Sequence, residues 1–373
     1  MCMGTRPEII KMAPVYHALK AKGMHTVLLH TGQHQDMAEP MYAFFRMVPD
    51  IWLPIARQCD ALHHLSALLL EHVGAALETL KPGAVLVHGD TSSAAMTALA
   101  AFYRQVPIGH VEAGLRSHRA FDPFPEEKNR ELIARLARWH FAPTALARTN
   151  LLRENIGADR IHMVGNTIVD AVRLASSTFS QAGAAQAHGP LAALAATLKG
   201  RRLLLVTAHR RENLGAPLLS VASAIRTLLA TDPELVFVWP VHSNPKIQAD
   251  VRTAFADLPA HQATRLFLTA PLDYPDTLAL LRQAWLALTD SGGIQEEAAC
   301  LALPVLVLRE ATERTELIDS GSAILVGTAA PAIVAAVRRL REGPDAYAAM
   351  QAAPNPFGDG YAAERIQSIL FPE

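Results

Sequence analysis

Three carboxylates stand where short apolar runs end or a helix begins. Asp90 follows Ala84–Val87 in His88-Gly-Asp-Thr91, Glu112 follows Ile108–Val111, and Glu126 lies where Pro123-Phe-Pro-Glu-Glu127 opens a helix. Acids so placed can serve as general acid and general base. Plainer uses exist for each. Asp90 before Thr91 fits a helix cap, Glu126 and Glu127 suit the positive end of a helix dipole, and Glu112 suits an ion pair, since a buried carboxylate left alone is costly. Arg6 falls in the loop after the first strand, with Lys11 one helical turn further on.

The second half carries a different chemistry. The run from Leu288 to Leu308 reads as a strand from Trp285 to Leu288, a turn at Asp290-Ser291-Gly292-Gly293, a helix from about Ile294 to Leu301 and a strand from Pro304 to Leu308. Glycines between a strand end and a helix start let the backbone approach a ligand closely. The helix N-terminus then favours an anion, typically phosphate. Glu296 and Glu297 would repel a phosphate at close range, so one of them, Glu297 by preference, is expected to face a sugar hydroxyl. His209-Arg210-Arg211 after Leu203–Thr207, His242 after Leu235–Val241, and Arg314 add basic groups at other strand ends. A diphosphate held by this half, with carboxylates on the other, is the pattern of a nucleotide-sugar enzyme.

These residues need a frame. Strand-like runs at Thr26–His30, Ala84–His88, Pro107–Val111, His140–Phe141, Ile161–Val164, Leu203–Thr207, Leu235–Val241, Arg265–Thr269, Trp285–Thr289, Pro304–Leu308 and Ala323–Val326 alternate with amphipathic helices such as Thr91–Arg104, Leu218–Ala230 and Asp276–Ala284. Short continuous Val/Leu/Ile strands interleaved with helices predict parallel sheets covered on both faces. The fold class is therefore α/β, with two Rossmann-like doubly wound domains facing a cleft. The boundary is expected near Asp170, giving domains 1–169 and 170–354, with Ser176–Gly200, rich in Ala, Gly, Gln and Ser, as the linker. Only Met1-Cys2-Met3 precedes Gly4, which leaves a first strand shorter than the usual five or so residues.

Composition excludes several classes. The 373 residues suit two domains rather than one. The net charge is −1, with no basic field to hold nucleic acid or an anionic membrane. No apolar run approaches the roughly 20 residues of a membrane span, and the N-terminus does not resemble a secretory signal. Cys2, Cys59 and Cys300 form neither a disulfide framework nor a metal knuckle, and His63-His64 has no third ligand. Neither a Gly-x-Gly-x-x-Gly fingerprint nor a Walker loop is present. The expected setting is cytoplasmic.

Taken together, GTRPEIIKMAP (Gly4–Pro14), VHGDT (Val87–Thr91), GHVEAGLR (Gly109–Arg116), PFPEE (Pro123–Glu127), HFAPT (His140–Thr144), VGNT (Val164–Thr167), TAHRRENLG (Thr207–Gly215), TDSGGIQEE (Thr289–Glu297) and TER (Thr312–Arg314) closely resemble the non-hydrolysing bacterial UDP-N-acetylglucosamine 2-epimerases. The match extends to NPFGDG (Asn355–Gly360) and covers nearly the whole chain. The resemblance implies a glycosyltransferase-B-like fold, a C-terminal helix of about 355–373 crossing back to the first domain, and a homodimer. It also implies interconversion of UDP-GlcNAc and UDP-ManNAc through elimination of UDP, without metal or nicotinamide. Carried over by motif, Asp90, Glu112, Glu126 and His209 are the catalytic residues, with base and acid not told apart. Arg6, Lys11, His209, Ser291, Gly292, Gly293, Glu297 and Arg314 bind the UDP-sugar. Gln33, Arg210 and His242 belong to a second, activating UDP-GlcNAc site, where Asp36 and Cys59 replace polar residues common in the family. Rival readings are a hydrolysing relative that releases ManNAc, a glycosyltransferase of the same fold, and a UDP-sugar binder without turnover.

Overall fold

The computed structural model describes residues 1–372 apart from 34–37, 57–58, 60, 183–193, 209 and 211–212. The chain divides into two compact units, Met1–Ser177 with Phe357–Glu373, and Thr178–Pro356. The division falls within the helix Thr167–Ala182, and part of the expected linker lies outside the described residues.

In the first unit, β1 (Cys2–Met3), β2 (Leu29–His30) and β3 (Ile51–Trp52) form one parallel set. A second consists of β4 (Val85–His88), β5 (Ile108–Val111), β6 (Trp139–Ala142) and β7 (Ile161–Met163). β1 runs beside β4, so the spatial order is 3-2-1-4-5-6-7. The chain reverses direction across the sheet between β1 and β4, and ligands of doubly wound sheets bind beyond the strand ends at such a reversal. The buried faces of β4 and β5 pack on the helices Leu62–Leu80 and Ser92–Tyr103 through Leu65, Leu69, Val73, Val85, Val87 and Ala98. The two-residue β1 agrees with the few residues available before Gly4. β3, equally short, lies in an apolar run, Ile51-Trp-Leu-Pro-Ile55, that Pro54 interrupts.

The second unit has one six-stranded parallel sheet: β8 (Arg202–Thr207), β9 (Leu235–Pro240), β10 (Leu266–Thr269), β11 (Leu286–Thr289), β12 (Val305–Val307) and β13 (Ala323–Leu325). Its spatial order is β10-β9-β8-β11-β12-β13, so the reversal falls between β8 and β11. All six strands are near-continuous apolar runs, as a sheet covered on both faces requires. Trp239, Phe237, Ile225 and Val337 lie at the centre of its core. The two units thus repeat one topology.

The last helix belongs to the first unit. Ala362–Leu370 packs against the helix Arg6–Ala21. Its start is fixed by Asp170, whose buried Oδ1 accepts from the Ala363 amide at 2.9 Å. Phe357 O accepts from Asn166 N at 2.8 Å. At Gly165, with φ of +99°, a Cβ would stand 3.3 Å from that same oxygen, so the close approach needs glycine.

Candidate active site

The carboxyl ends of β1, β4 and β5 bring together most of the first unit's predicted residues. After β1 the chain enters the helix Arg6–Ala21 at once, with Pro7 in its first turn and Glu8 near the positive dipole end. Arg6 therefore begins the helix instead of sitting in a loop before it. Lys11, buried on this helix, pairs directly with Glu112 Oε2. That oxygen also accepts from Asn166 Nδ2 at 3.1 Å and lies 3.8 Å from His88 Nε2. Glu112 itself has φ of +64°, a left-handed conformation that costs a residue with a Cβ roughly 1–2 kcal/mol. Strain of this kind clusters where a side chain is aimed for function, and here it turns a buried carboxylate back over the strand end.

Gly89, with φ of +65°, turns the chain sharply after β4 and delivers Asp90. Asp90 does not cap the next helix; that task falls to Thr91, whose Oγ1 accepts from Ala94 N at 2.9 Å. Instead, Asp90 Oδ2 receives both Nε (2.8 Å) and a terminal nitrogen (2.5 Å) of Arg130, while Asn129 Nδ2 donates to Asp90 O at 2.8 Å. Arg130 is itself held by Glu127 at 3.0 Å. Glu127 is fully buried and also accepts from the Ser117 and His118 amides. Burial works to raise its carboxyl, but these amides and Arg130 outweigh burial and lower it, so Glu127 stays charged. Glu126 opens the helix Glu126–Leu136 and is half-buried. Below the carboxylates, burial pushes His110 down to about 3. Neutral His110 donates Nε2–H to Gly89 O at 2.7 Å and supports the turn that carries Asp90.

In the second unit Thr207 and Thr289 are register partners across the reversal, with hydroxyls 2.5 Å apart. Buried Asp290 accepts from Arg210 N and Asn213 Nδ2, both at 2.9 Å, and Asn213 Nδ2 also reaches Leu308 O at 3.0 Å. The loops after β8, β11 and β12 are thereby tied together. The following helix spans Gly292–Cys300, two residues earlier than the sequence suggests, and Ser291 makes no side-chain cap bond to it. A Cβ on Gly292 would lie 2.6 Å from Arg314 Cζ. Glycine lets the guanidinium lie across the helix start. Arg314 also pairs with Glu296 at 2.9–3.0 Å and with Glu313. Burial works to raise Glu313, but Arg314, Arg309 and Arg210 outweigh it and hold it well below the usual carboxylate range. Glu297 is buried on the same helix as Glu296.

His209 lies outside the described residues, as does Asp36. Of the residues assigned to an activating site, Gln33 Oε1 accepts from Ser93 N (3.1 Å) and Ser93 Oγ (2.7 Å) in the first unit. Arg210 sits 3.5 Å from Glu313, and His242 is exposed, its Nδ1 accepting from Asn244 N. From sequence, Arg130, Asn166 and Asn213 have no assigned role, Glu127 has only a helix-dipole use and Asp290 only a place in a turn. The i,i+3 spacing of Glu127 and Arg130 on a helix was the available signal. Among the described residues no cluster of His, Cys, Asp and Glu could hold a metal, and no helix is long and apolar enough to cross a membrane.

Two doubly wound parallel units of matching strand order, one with acids at its reversal and the other with a glycine-led helix start under an arginine, place the protein in the glycosyltransferase-B-like class. Within that class the chain belongs to the UDP-N-acetylglucosamine 2-epimerase family, whose profile matches residues 17–371. It is 42% identical to the UDP-N-acetylglucosamine 2-epimerase of Yersinia pestis over 98% of this chain and 96% of the relative. It is 41% identical to that of Escherichia coli K12 over the same shares. The crystal structure of UDP-GlcNAc 2-epimerase from Neisseria meningitidis bound to UDP-GlcNAc superposes with a TM-score of 0.91 at 35% identity, covering 100% of this chain and 99% of the other.

Proposed function

We propose that this protein is a non-hydrolysing UDP-N-acetylglucosamine 2-epimerase, interconverting UDP-GlcNAc and UDP-ManNAc in the cytoplasm. The observation that carries the reading is the convergence of Asp90 and Glu112 at neighbouring strand ends, each ion-paired with a cation, Arg130 and Lys11. In the sugar ring no carbonyl adjoins C2, so its proton is not acidic and direct deprotonation with return is slow. Elimination of UDP to 2-acetamidoglucal avoids the difficulty: a base removes the C2 proton as the C1–O bond to the diphosphate breaks. Protonation of the glucal on the other face, with return of UDP to C1, completes the inversion. The reaction needs a base, an acid and stabilisation of the departing diphosphate. Asp90, Glu112, Glu126 and His209 supply the proton chemistry, with Arg130 beside Asp90 and Lys11 beside Glu112, and Arg6 helps to hold the diphosphate. Ser291, Gly292, Gly293 and Arg314 bind the diphosphate, and Glu297 the ribose.

A homodimer is part of the same proposal, supported by Phe102 and Tyr103, which leave large exposed apolar side chains at the end of the helix Ser92–Tyr103. Sedimentation at equilibrium tests it. For the reaction, incubation with UDP-GlcNAc in heavy water is the decisive experiment. Deuterium at C2 of UDP-ManNAc is expected. Unlabelled UDP-ManNAc overturns the elimination route, and free ManNAc with UDP overturns the non-hydrolysing assignment.

A further inference from the structure

Glu8 has no part in the chemistry assigned above, yet it is among the most deeply buried acids of the first unit, at 1% exposure. Its two oxygens go to two different loops. Oε2 accepts from Gly4 N at 2.9 Å, in the turn between β1 and Arg6. Oε1 accepts from Thr91 Oγ1 at 2.7 Å, next to Asp90 in the turn after β4. The Thr91 hydroxyl donates to Glu8 while accepting from Ala94 N, so it closes the helix Ser92–Tyr103 and the link together.

Further close approaches show that the two turns are built to fixed spacing. A Cβ at Gly4 would lie 2.0 Å from Thr31 Oγ1 and 2.3 Å from Ser93 Oγ, and those hydroxyls are themselves 2.6 Å apart. One helical turn beyond Glu8, Lys11 reaches Glu112. Burial raises the Glu8 carboxyl to about 7, against the pull of its hydrogen bonds to Thr91, Gly4 and Thr5. A first-turn acid serving only the helix dipole would avoid that cost by staying in water.

We propose that Glu8 is a positioning residue, which locks the turn leading into Arg6 to the turn carrying Asp90 and so holds these two groups at a fixed separation during turnover. The inference rests on the assignment of Asp90 to proton transfer. Glu8→Gln keeps the shape but offers one accepting oxygen where two are used. Thr91→Val removes the donor and keeps the branching, and Thr91→Ser keeps the hydroxyl.

The test has two arms. Hydrogen exchange followed by mass spectrometry reads the lock without any substrate. Faster exchange is expected around Gly4 and from Asp90 to Ala94 in Glu8→Gln and Thr91→Val, with Thr91→Ser close to the parent. Glu8→Gln leaves the Thr91 cap in place, so unchanged exchange over Asp90 to Ala94 in that variant overturns the lock. Turnover of UDP-GlcNAc reads the consequence. In Glu8→Gln and Thr91→Val, kcat is expected to fall on the order of tenfold to a hundredfold, the scale of a small misplacement of reacting groups, with KM moved by less than about threefold. Thr91→Ser restores kcat. An unaltered kcat in Glu8→Gln, or no rescue by Thr91→Ser, overturns the positioning role. A parent protein without epimerase turnover overturns the proposed function instead, and the exchange arm still decides the lock.

Discussion

Arg130 grips Asp90 from two nitrogens of one guanidinium, Nε at 2.8 Å and a terminal nitrogen at 2.5 Å from the same Oδ2. The arginine is buried and Asp90 is less so. One carboxylate oxygen is thus committed to a fixed cation, which fixes the direction of the group. Asp90→Asn and Glu112→Gln are each expected to lose at least about a hundredfold in kcat, the low end for an acid or base group. Arg130→Ala is expected to lose kcat as well, because Asp90 would be free to turn. A product assay for UDP-ManNAc measures all three. Retained activity in both carboxylate variants would refute their roles.

Gly292 offers a test in the second unit. Alanine there would bring a methyl group to 2.6 Å from Arg314 Cζ, and the guanidinium would have to leave Glu296. Strain of this type costs typically 1–3 kcal/mol. The expected result for Gly292→Ala is a lower melting temperature together with UDP affinity weakened at least about tenfold, since Arg314 leaves the helix start. Calorimetry with UDP alone, which needs no turnover, measures it. Unchanged affinity would remove Arg314 and Gly292 from the diphosphate site.

Glu8 predicts how stability depends on pH. Its carboxyl rises from 4.5 to about 7 on folding because burial penalises the charged form. The folded state therefore binds the proton more tightly, and the favourable contribution is complete below about pH 4.5 and lost as pH rises through about 7. A change of that size corresponds to about 3 kcal/mol. Between pH 6 and 8 the melting temperature of the parent should fall more than that of Glu8→Gln. Parallel curves would show that Glu8 does not titrate in this range.

Asp170 holds the last helix through Ala363. Asp170→Ala is expected to cost about 1–2 kcal/mol, the upper part of the range for a lost cap. Limited proteolysis should then release the segment after Phe357 sooner than in the parent. Equal rates of cleavage would show that other contacts suffice.

Much of this architecture is legible in the chain because parallel strands buried on both faces must be continuous apolar runs. Leu203–Thr207 and Leu235–Val241 could hardly be anything else, and β8 and β9 lie there. β1 and β3 have two residues each, too few for any periodicity. Helix starts were less legible: glycine disfavours helix, yet Gly292 is helical because its missing side chain is what admits Arg314. At the site, Lys11 and Glu112 each stood out by position, but not as partners, because they lie 101 residues apart. Asp90 and Arg130, 40 apart, met the same limit. Local spacing reports which groups sit at strand ends. Pairing between them is set by the order of strands in the sheet, which no local pattern encodes.

The first unit is discontinuous in the chain: Met1–Ser177 is completed by Phe357–Glu373, with the whole second unit between. During synthesis, the helix Arg6–Ala21 emerges early and then waits. The helix Ala362–Leu370, which packs against it, follows only after the whole second unit. Contact between these two helices therefore waits for synthesis of the entire second unit.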